Sequence, residues 1–318
     1  MNNSKDSGKN NTEKVKKEPG KPVIIDVKNV YKSYPSRITG KERTVLNGID
    51  LQVSESTFLT IVGPTGCGKT TLFRLLLGSE EPTSGELWVH GKKVTGPDRD
   101  RGVVFQKYSL FPHLSVVDNV AFGPELEDFQ LIGRFINPFS VRKKKKKFRE
   151  KAMHFLERVG LADSARKYPY ELSGGMQQRA AIAQALIMNP SVLFMDEPFG
   201  ALDEGTRSTM QAFILEIWDN SDMTVFFVTH DLEEALYLGT RIIVLSQYYT
   251  TDRGIGEGAK ILFDTSIVGA SPRPLTFKHT PEFNELLARI RLEGLDPTNL
   301  QHVSEFNLRH RLSIKNDV

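Results

Sequence analysis

Gly63-Pro64-Thr65-Gly66-Cys67-Gly68-Lys69-Thr70 reads G-x-x-x-x-G-K-T, and its flanks decide the fold. Before it runs Phe58-Leu59-Thr60-Ile61-Val62, apolar and of strand length; after it runs Thr71-Leu72-Phe73-Arg74-Leu75-Leu76-Leu77, of helical character. Strand, glycine loop and helix in that order make this spacing a phosphate-binding loop. The glycines let the backbone pass close to a ligand, and successive N–H groups with the helix N-terminus then face phosphate oxygens. Gly63, Pro64, Thr65, Gly66, Cys67, Gly68, Lys69, Thr70 and Thr71 are therefore the expected cradle. Lys69 is expected to reach the β- and γ-phosphates, and the Thr70 hydroxyl to ligate Mg²⁺. The chain is read as binding a nucleoside triphosphate.

With 318 residues the chain has room for one large domain, or a domain with an appendage. The 42 basic and 39 acidic residues leave a net charge of only +3, so charge gives no argument for nucleic acid. Cys67 is the single cysteine; it excludes an internal disulfide and fits a reducing compartment. Its place in the phosphate loop predicts that alkylation blocks nucleotide binding. Apolar runs such as Val225-Phe226-Phe227-Val228 fall far short of the ~20 residues a bilayer span needs. The polar N-terminus lacks the apolar core of a signal peptide. The expectation is a cytoplasmic protein whose membrane role comes through a partner.

Residues 1–22 hold six lysines and almost nothing apolar, and are expected to be disordered. From 23 to 250 the texture is α/β. Strands precede the phosphate loop, a mainly helical stretch covers about 115–190, and strands then alternate with helices to Leu245. Such alternation implies a parallel sheet with crossover helices. Residues 251–318 change texture, with glycine- and proline-rich loops and a helical stretch from about Pro281 to Leu292, and are read as an appendage of unknown role.

Ser191-Val192-Leu193-Phe194-Met195-Asp196-Glu197 is an apolar strand ending in two acids. Carboxylates at the C-terminal edge of a parallel sheet fall where ligands bind. Asp196 is placed to hold Mg²⁺, and Glu197 to polarise an attacking water. Leu172-Ser173-Gly174-Gly175-Met176-Gln177-Gln178 opens a helix with a hydroxyl and two glycines, a second anion-grasping element in a chain with one phosphate loop.

On these three motifs the chain resembles the ATP-binding cassette (ABC) ATPases over residues 23–250, with LSGGMQQ similar to their signature motif. The resemblance implies a phosphate-loop α/β fold with a parallel-sheet core, an antiparallel β subdomain and a helical signature subdomain. It also implies a homodimer in which Ser173, Gly174 and Gly175 grasp the γ-phosphate of ATP on the opposite subunit. Tyr34 resembles the aromatic that stacks on adenine, though a tyrosine there also suits a core. Gln106 resembles the glutamine that senses Mg²⁺ and the attacking water. Asp203, in Ala201-Leu202-Asp203, resembles the loop coupling the two sites, with Gly200 in place of the usual serine. His230 resembles the switch histidine that contacts the γ-phosphate.

Gly96–Gln106 and Leu110–Gly123 resemble the importer ATPases of the nitrate, sulfonate and taurine branch. That implies two transmembrane permease subunits as partners, a solute-binding protein acting indirectly, and a place on the cytoplasmic face of the cell membrane. Tyr108, Leu110, Phe111, Pro112 and Leu114 would form a docking groove for a permease helix. Glu127–Phe139 departs from the pattern as an apparent insertion. The cations Arg142, Lys143, Lys144, Lys145, Lys146 and Lys147 follow; they read either as a solvated helix face or as a contact for anionic lipid. The competing classes are a soluble cassette acting on ribosomes or DNA, and an exporter subunit. A single cassette without heptad coils disfavours the first, and the 96–123 segment the second. The solute is not readable in a subunit that never touches it.

Overall fold

The strand that leads into the glycine loop is buried at every position, and its one polar side chain, Thr60, donates to the Arg241 carbonyl. A computed structural model describes residues 21–35, 40, 42–106, 109–132, 138–267 and 273–308. Residues 1–20 of the polar tail and Tyr108 of the expected groove lie outside them. Within 129–142, which include Phe139 and Arg142, only backbone elements are described.

Two long strands, β1 (Val23–Pro35) and β2 (Glu42–Ser54), precede the apolar strand β3 (Phe58–Val62) and helix α1 (Lys69–Leu77). Strands β4 (Ser84–Val89), β5 (Lys92–Lys93) and β6 (Arg101–Val104) follow. Three helices come next, α2 (Val116–Ile132), α3 (Pro138–Arg158) and α4 (Gly174–Leu186). The chain returns to the core with β7 (Val192–Asp196), α5 (Glu204–Asp219), β8 (Thr224–Val228), α6 (Leu232–Leu238) and β9 (Arg241–Ser246). It closes with β10 (Tyr249–Thr251), β11 (Gly254–Ile255), β12 (Lys260–Ser266), α7 (Pro281–Ile290) and β13 (Gln301–His302).

The central sheet runs β12-β9-β3-β8-β7-β6. The five strands from β9 to β6 make four pairings, all parallel, and β12 joins β9 antiparallel. A separate antiparallel sheet, β2-β1-β4-β5, lies across α1. Leu72, Phe73, Leu75 and Leu76 of α1 share one core with Ile25, Val27 and Val53 on that side and Phe194, Phe226 and Ile243 on the other. The opposite face of the central sheet buries Leu193, Met195, Val225 and Phe227 against the helices. This is the expected α/β fold with its antiparallel and helical subdomains.

The change of texture near residue 250 is not a break in the fold. β12 pairs along β9 from Lys260↔Ser246 to Ser266↔Arg241, giving the parallel sheet its edge strand. Arg241 and Asp264, both nearly fully buried, clip the two strands with paired bonds of 2.7 and 2.6 Å. Phe283 and Ile290 of α7 then pack on Leu232 and Leu236 of α6. The apolar face of α6 needs this cover, so the later segment is built into the wall of the domain.

Glu127–Ile132 of the apparent insertion continues α2 as helix. The lysine run lies on α3 and meets acids of α2. Lys144 bonds Asp128 at 2.9 Å, Lys145 approaches Glu125 at 3.4 Å, and Arg149 bonds Asp118 at 2.6 Å. These cations therefore join two helices as well as facing solvent.

Candidate functional site

Four strands end at one edge of the sheet, and each delivers a functional side chain there. β3 runs into the glycine loop. Its neighbour β8 ends just before Thr229 and His230, β7 ends at Asp196 and Glu197, and β6 leads to Gln106. A cavity of about 580 Å³ opens at this edge, lined by Lys69, Thr70, Gln106, Asp196, Glu197 and His230 among others. The loop geometry needs its glycines. A Cβ at Gly63 would sit 2.0 Å from the Leu245 carbonyl oxygen, and Gly68 adopts φ +105°. The Lys69 ammonium turns back over the loop, donating to the carbonyls of Gly63 (2.7 Å) and Pro64 (3.0 Å).

The two acids have different surroundings. Asp196 is buried, and its Oδ2 accepts from the Thr70 hydroxyl at 3.4 Å. Burial pushes its carboxyl up from the ordinary aspartate value, and the neighbouring Glu197 charge adds to this, while Thr70 and Lys69 oppose it. Glu197 stands further out. Its Oε2 accepts from Gln106 Nε2 at 2.8 Å, and its Oε1 lies 3.4 Å from His230 Nδ1. Glu197 has φ +47°, a left-handed conformation that costs a non-glycine residue of order 1–3 kcal/mol and clusters at functional sites. Its N–H bond to the Val228 carbonyl (2.9 Å) holds the turn against β8.

Thr70 and Asp196 supply a hydroxyl and a carboxylate at contact distance, with the Gln106 amide close by. That is the hard oxygen donor set Mg²⁺ takes alongside phosphate oxygens and water. Among the described residues no group of three or more His, Cys, Asp or Glu could hold a metal alone.

Not every expected residue meets here. Ser173, Gly174 and Gly175 do not line the cleft. Ser173 is exposed and caps α4, accepting from the Met176 N–H at 3.3 Å. A Cβ on Gly175 would lie 3.2 Å from Leu202 and 3.3 Å from the Ala201 carbonyl, so the signature turn packs on the loop that carries Asp203. Asp203 itself caps α5 through the Thr206 N–H (3.0 Å), and that bond holds its carboxyl below the usual range. Tyr34 does not line the cleft either. Its hydroxyl donates to Glu80, and Lys32 sits 4.9 Å over its ring.

The Cys67 side chain does not line the cleft. The thiol is 1% exposed and packs beneath the loop in the α1 core, and burial pushes its pKa up. Burial and a raised pKa both lower a thiol's reactivity. Arg43 and Val45 line the cleft opposite the loop and were legible only as strand texture.

With this geometry in view, the comparisons with known proteins are decisive. The ABC transporter family model matches residues 46–200. An uncharacterised ABC transporter ATP-binding protein of Methanocaldococcus jannaschii is 44% identical over 234 residues, 74% of this chain and 82% of that one. The chain belongs to the ABC transporter ATP-binding family. It is an ATP-hydrolysing cassette, and its relatives include import subunits. The aliphatic sulfonates import ATP-binding protein of Bacillus thuringiensis subsp. konkukian is 40% identical over 70% of this chain and 82% of its own. The nitrate import ATP-binding protein of Synechocystis is 44% identical over 70% of this chain and 77% of its own. A dimeric ATP-binding cassette in a post-hydrolysis state bound to ADP and Pi superposes with TM-score 0.64 at 28% identity, covering 78% of this chain and all of that one. No helix among the described residues is long and apolar enough to cross a membrane.

Proposed function

We propose that this cassette is the ATPase subunit of a membrane importer for a small solute of the nitrate, sulfonate or taurine kind, working at the cytoplasmic face beneath two permease subunits. A separate binding protein hands over the solute. The observation that carries the reading is the split between two phosphate-binding elements. The cleft at Lys69 and the helix start at Ser173–Gly175 belong to one chain but do not share a site. Two copies placed head to tail complete both.

In each composite site Lys69 and the loop N–H groups hold the β- and γ-phosphates, and the partner's Ser173 turn closes over the γ-phosphate. Thr70, Asp196 and Gln106 would hold Mg²⁺, which supplies charge neutralisation on the β- and γ-oxygens. Glu197 accepts a proton from the attacking water, and Gln106 and His230, both against it, orient that carboxylate. Lys69 and His230 stabilise the charge spreading over the γ-phosphate. Tyr34 and the Asp203 loop are assigned to the adenine and to coupling between the two sites.

The permease face is the loop before α2. Asn119, fully buried, accepts from the Phe111 N–H and donates to the carbonyls of Phe111, Leu114 and Ser115 at 2.7–3.1 Å. That pins the 111–115 turn, on which Phe111 is 37% exposed and packs on Phe122. A helix-in-groove contact needs exposed apolar side chains of this kind. Exposed Lys143, Lys146 and Lys147 are assigned to anionic head groups beside the permease, and changing the run to glutamine is expected to weaken binding to anionic liposomes at low salt.

The test is a pull-down of Glu197→Gln from detergent-solubilised native membranes with ATP–Mg²⁺, read by mass spectrometry. A multispanning permease in the eluate is the expected result. Ribosomal or DNA-bound partners without a permease would overturn the transport assignment while leaving the ATPase intact.

A further inference from the structure

His230 is held in an unusual way for a residue that must be placed accurately. Its side chain is 68% exposed, and its partner in the structure is Glu197 at 3.4 Å. Its position is therefore set by the backbone on either side of it. Both flanking residues are tied to a single buried carboxylate. The Thr229 hydroxyl donates to Glu234 Oε2 at 2.7 Å, and the same hydroxyl accepts the Asp231 N–H at 3.0 Å. The other oxygen, Glu234 Oε1, accepts from Gln211 Nε2 at 2.9 Å. Glu234, Thr229 and Gln211 are 7%, 2% and 3% exposed, so this is a dry network with both carboxylate oxygens engaged.

A carboxylate in that place is expensive. Burial pushes the Glu234 carboxyl up, the Asp231 charge adds to this, and the two donors with Arg207 oppose it. A buried acid that an apolar side chain could replace more cheaply needs a reason. The network supplies one in its reach. Gln211 lies on α5, the helix that Asp203 caps, so the chain of bonds runs from the Asp203 loop's own helix to the residue before His230.

We propose that Glu234 is a positioning residue for His230, fixing the turn after β8 and tying it to α5 through Gln211. The inference rests on His230 acting at the γ-phosphate, and it makes the histidine's placement depend on a carboxylate that does not touch the nucleotide. Displacing a reacting group by about 1 Å costs on the order of 10²-fold.

The experiment is steady-state ATPase kinetics on full-length Glu234→Ala, Glu234→Gln, Thr229→Val and His230→Ala, each with a melting curve. Glu234→Ala is expected to lower kcat about 10- to 100-fold with the KM for ATP unchanged within about twofold. Glu234→Gln should recover most of the rate, because its amide can accept from Thr229 and donate to a flipped Gln211 carbonyl. In the His230→Ala background, Glu234→Ala should add less than about twofold, the non-additivity of two residues acting as one. Thr229→Val, which keeps the carboxylate, should lower kcat in the same direction and stands in if Glu234→Ala does not fold. Normal specific activity in Glu234→Ala or Thr229→Val, even with a lowered Tm, would overturn the inference. So would an undiminished effect of Glu234→Ala in the His230→Ala background. Normal activity in His230→Ala alone would instead remove the role of His230, and the inference with it.

Discussion

At the scale of single residues, two adjacent acids do different work because one is buried and one is not. Glu197, at the cleft with Gln106 and His230 against it, is the proposed general base. Glu197→Gln is expected to slow hydrolysis about 10²- to 10⁴-fold while fluorescent ATP analogues bind with unchanged affinity. Asp196 is the buried partner, and its raised pKa has a definite sign for stability. The charged form is the disfavoured one, so the group costs nothing at acid pH where it is protonated, and the cost appears as pH rises through the raised value. Asp196→Asn is expected to raise the nucleotide-free Tm at neutral pH. The gain should vanish below the ordinary aspartate range, and Mg²⁺-dependent turnover should be lost. A melting series across pH checks the first part. That Lys69, Thr70, Asp196 and Glu197 meet at one cleft was legible because each sits at a fixed offset from a strand end. The burial of Cys67 was not legible, because a motif names a residue's position in a loop but not which side of the loop its side chain faces.

At the scale of elements, each strand in the core ends where its last residue is needed, and the helices are positioned by buried polar side chains. Asn119 is the clearest case, since its amide satisfies four backbone groups of the 111–115 turn. Asn119→Ala would take the partner from the Phe111 N–H and the Leu114 carbonyl, at about 1–3 kcal/mol for each that stays buried, while the Phe111 and Ser115 carbonyls keep the Leu114 and Asn119 N–H groups. It is expected to lower the Tm measurably and to weaken co-purification with the permease more than it lowers the free subunit's ATPase rate. The elements themselves were readable. β3, β7, β8 and β9 are mostly apolar runs, and Ser173, Asp203 and Asp231 all cap helices where serine or aspartate stands before a periodic segment. The Glu234 network was not readable. Two adjacent acids at 233 and 234 look alike in sequence, and only the packing of α6 buries the second.

At the scale of the whole molecule, the segment after residue 250 is part of the cassette, because β12 closes an edge and α7 covers α6. The Arg241–Asp264 pair is its fastener. Asp264→Ala would leave the guanidinium buried without its carboxylate, and is expected to destabilise by about 3–5 kcal/mol, read by urea unfolding. This part of the fold was hidden because β12, at Lys260–Ser266, follows a glycine-rich hairpin and mixes charged with apolar residues. Its pairing with β9 is a long-range match that local pattern does not announce. The central claim is that one chain carries two half-sites that ATP joins between copies. The most direct measurement is the solution mass of Glu197→Gln by light scattering, with and without ATP–Mg²⁺, alongside the same variant carrying Ser173→Arg. The account predicts a dimer only with ATP–Mg²⁺, and a monomer in both conditions once Ser173 is blocked. A monomer that binds ATP without pairing, or a dimer indifferent to nucleotide and to Ser173, would contradict it.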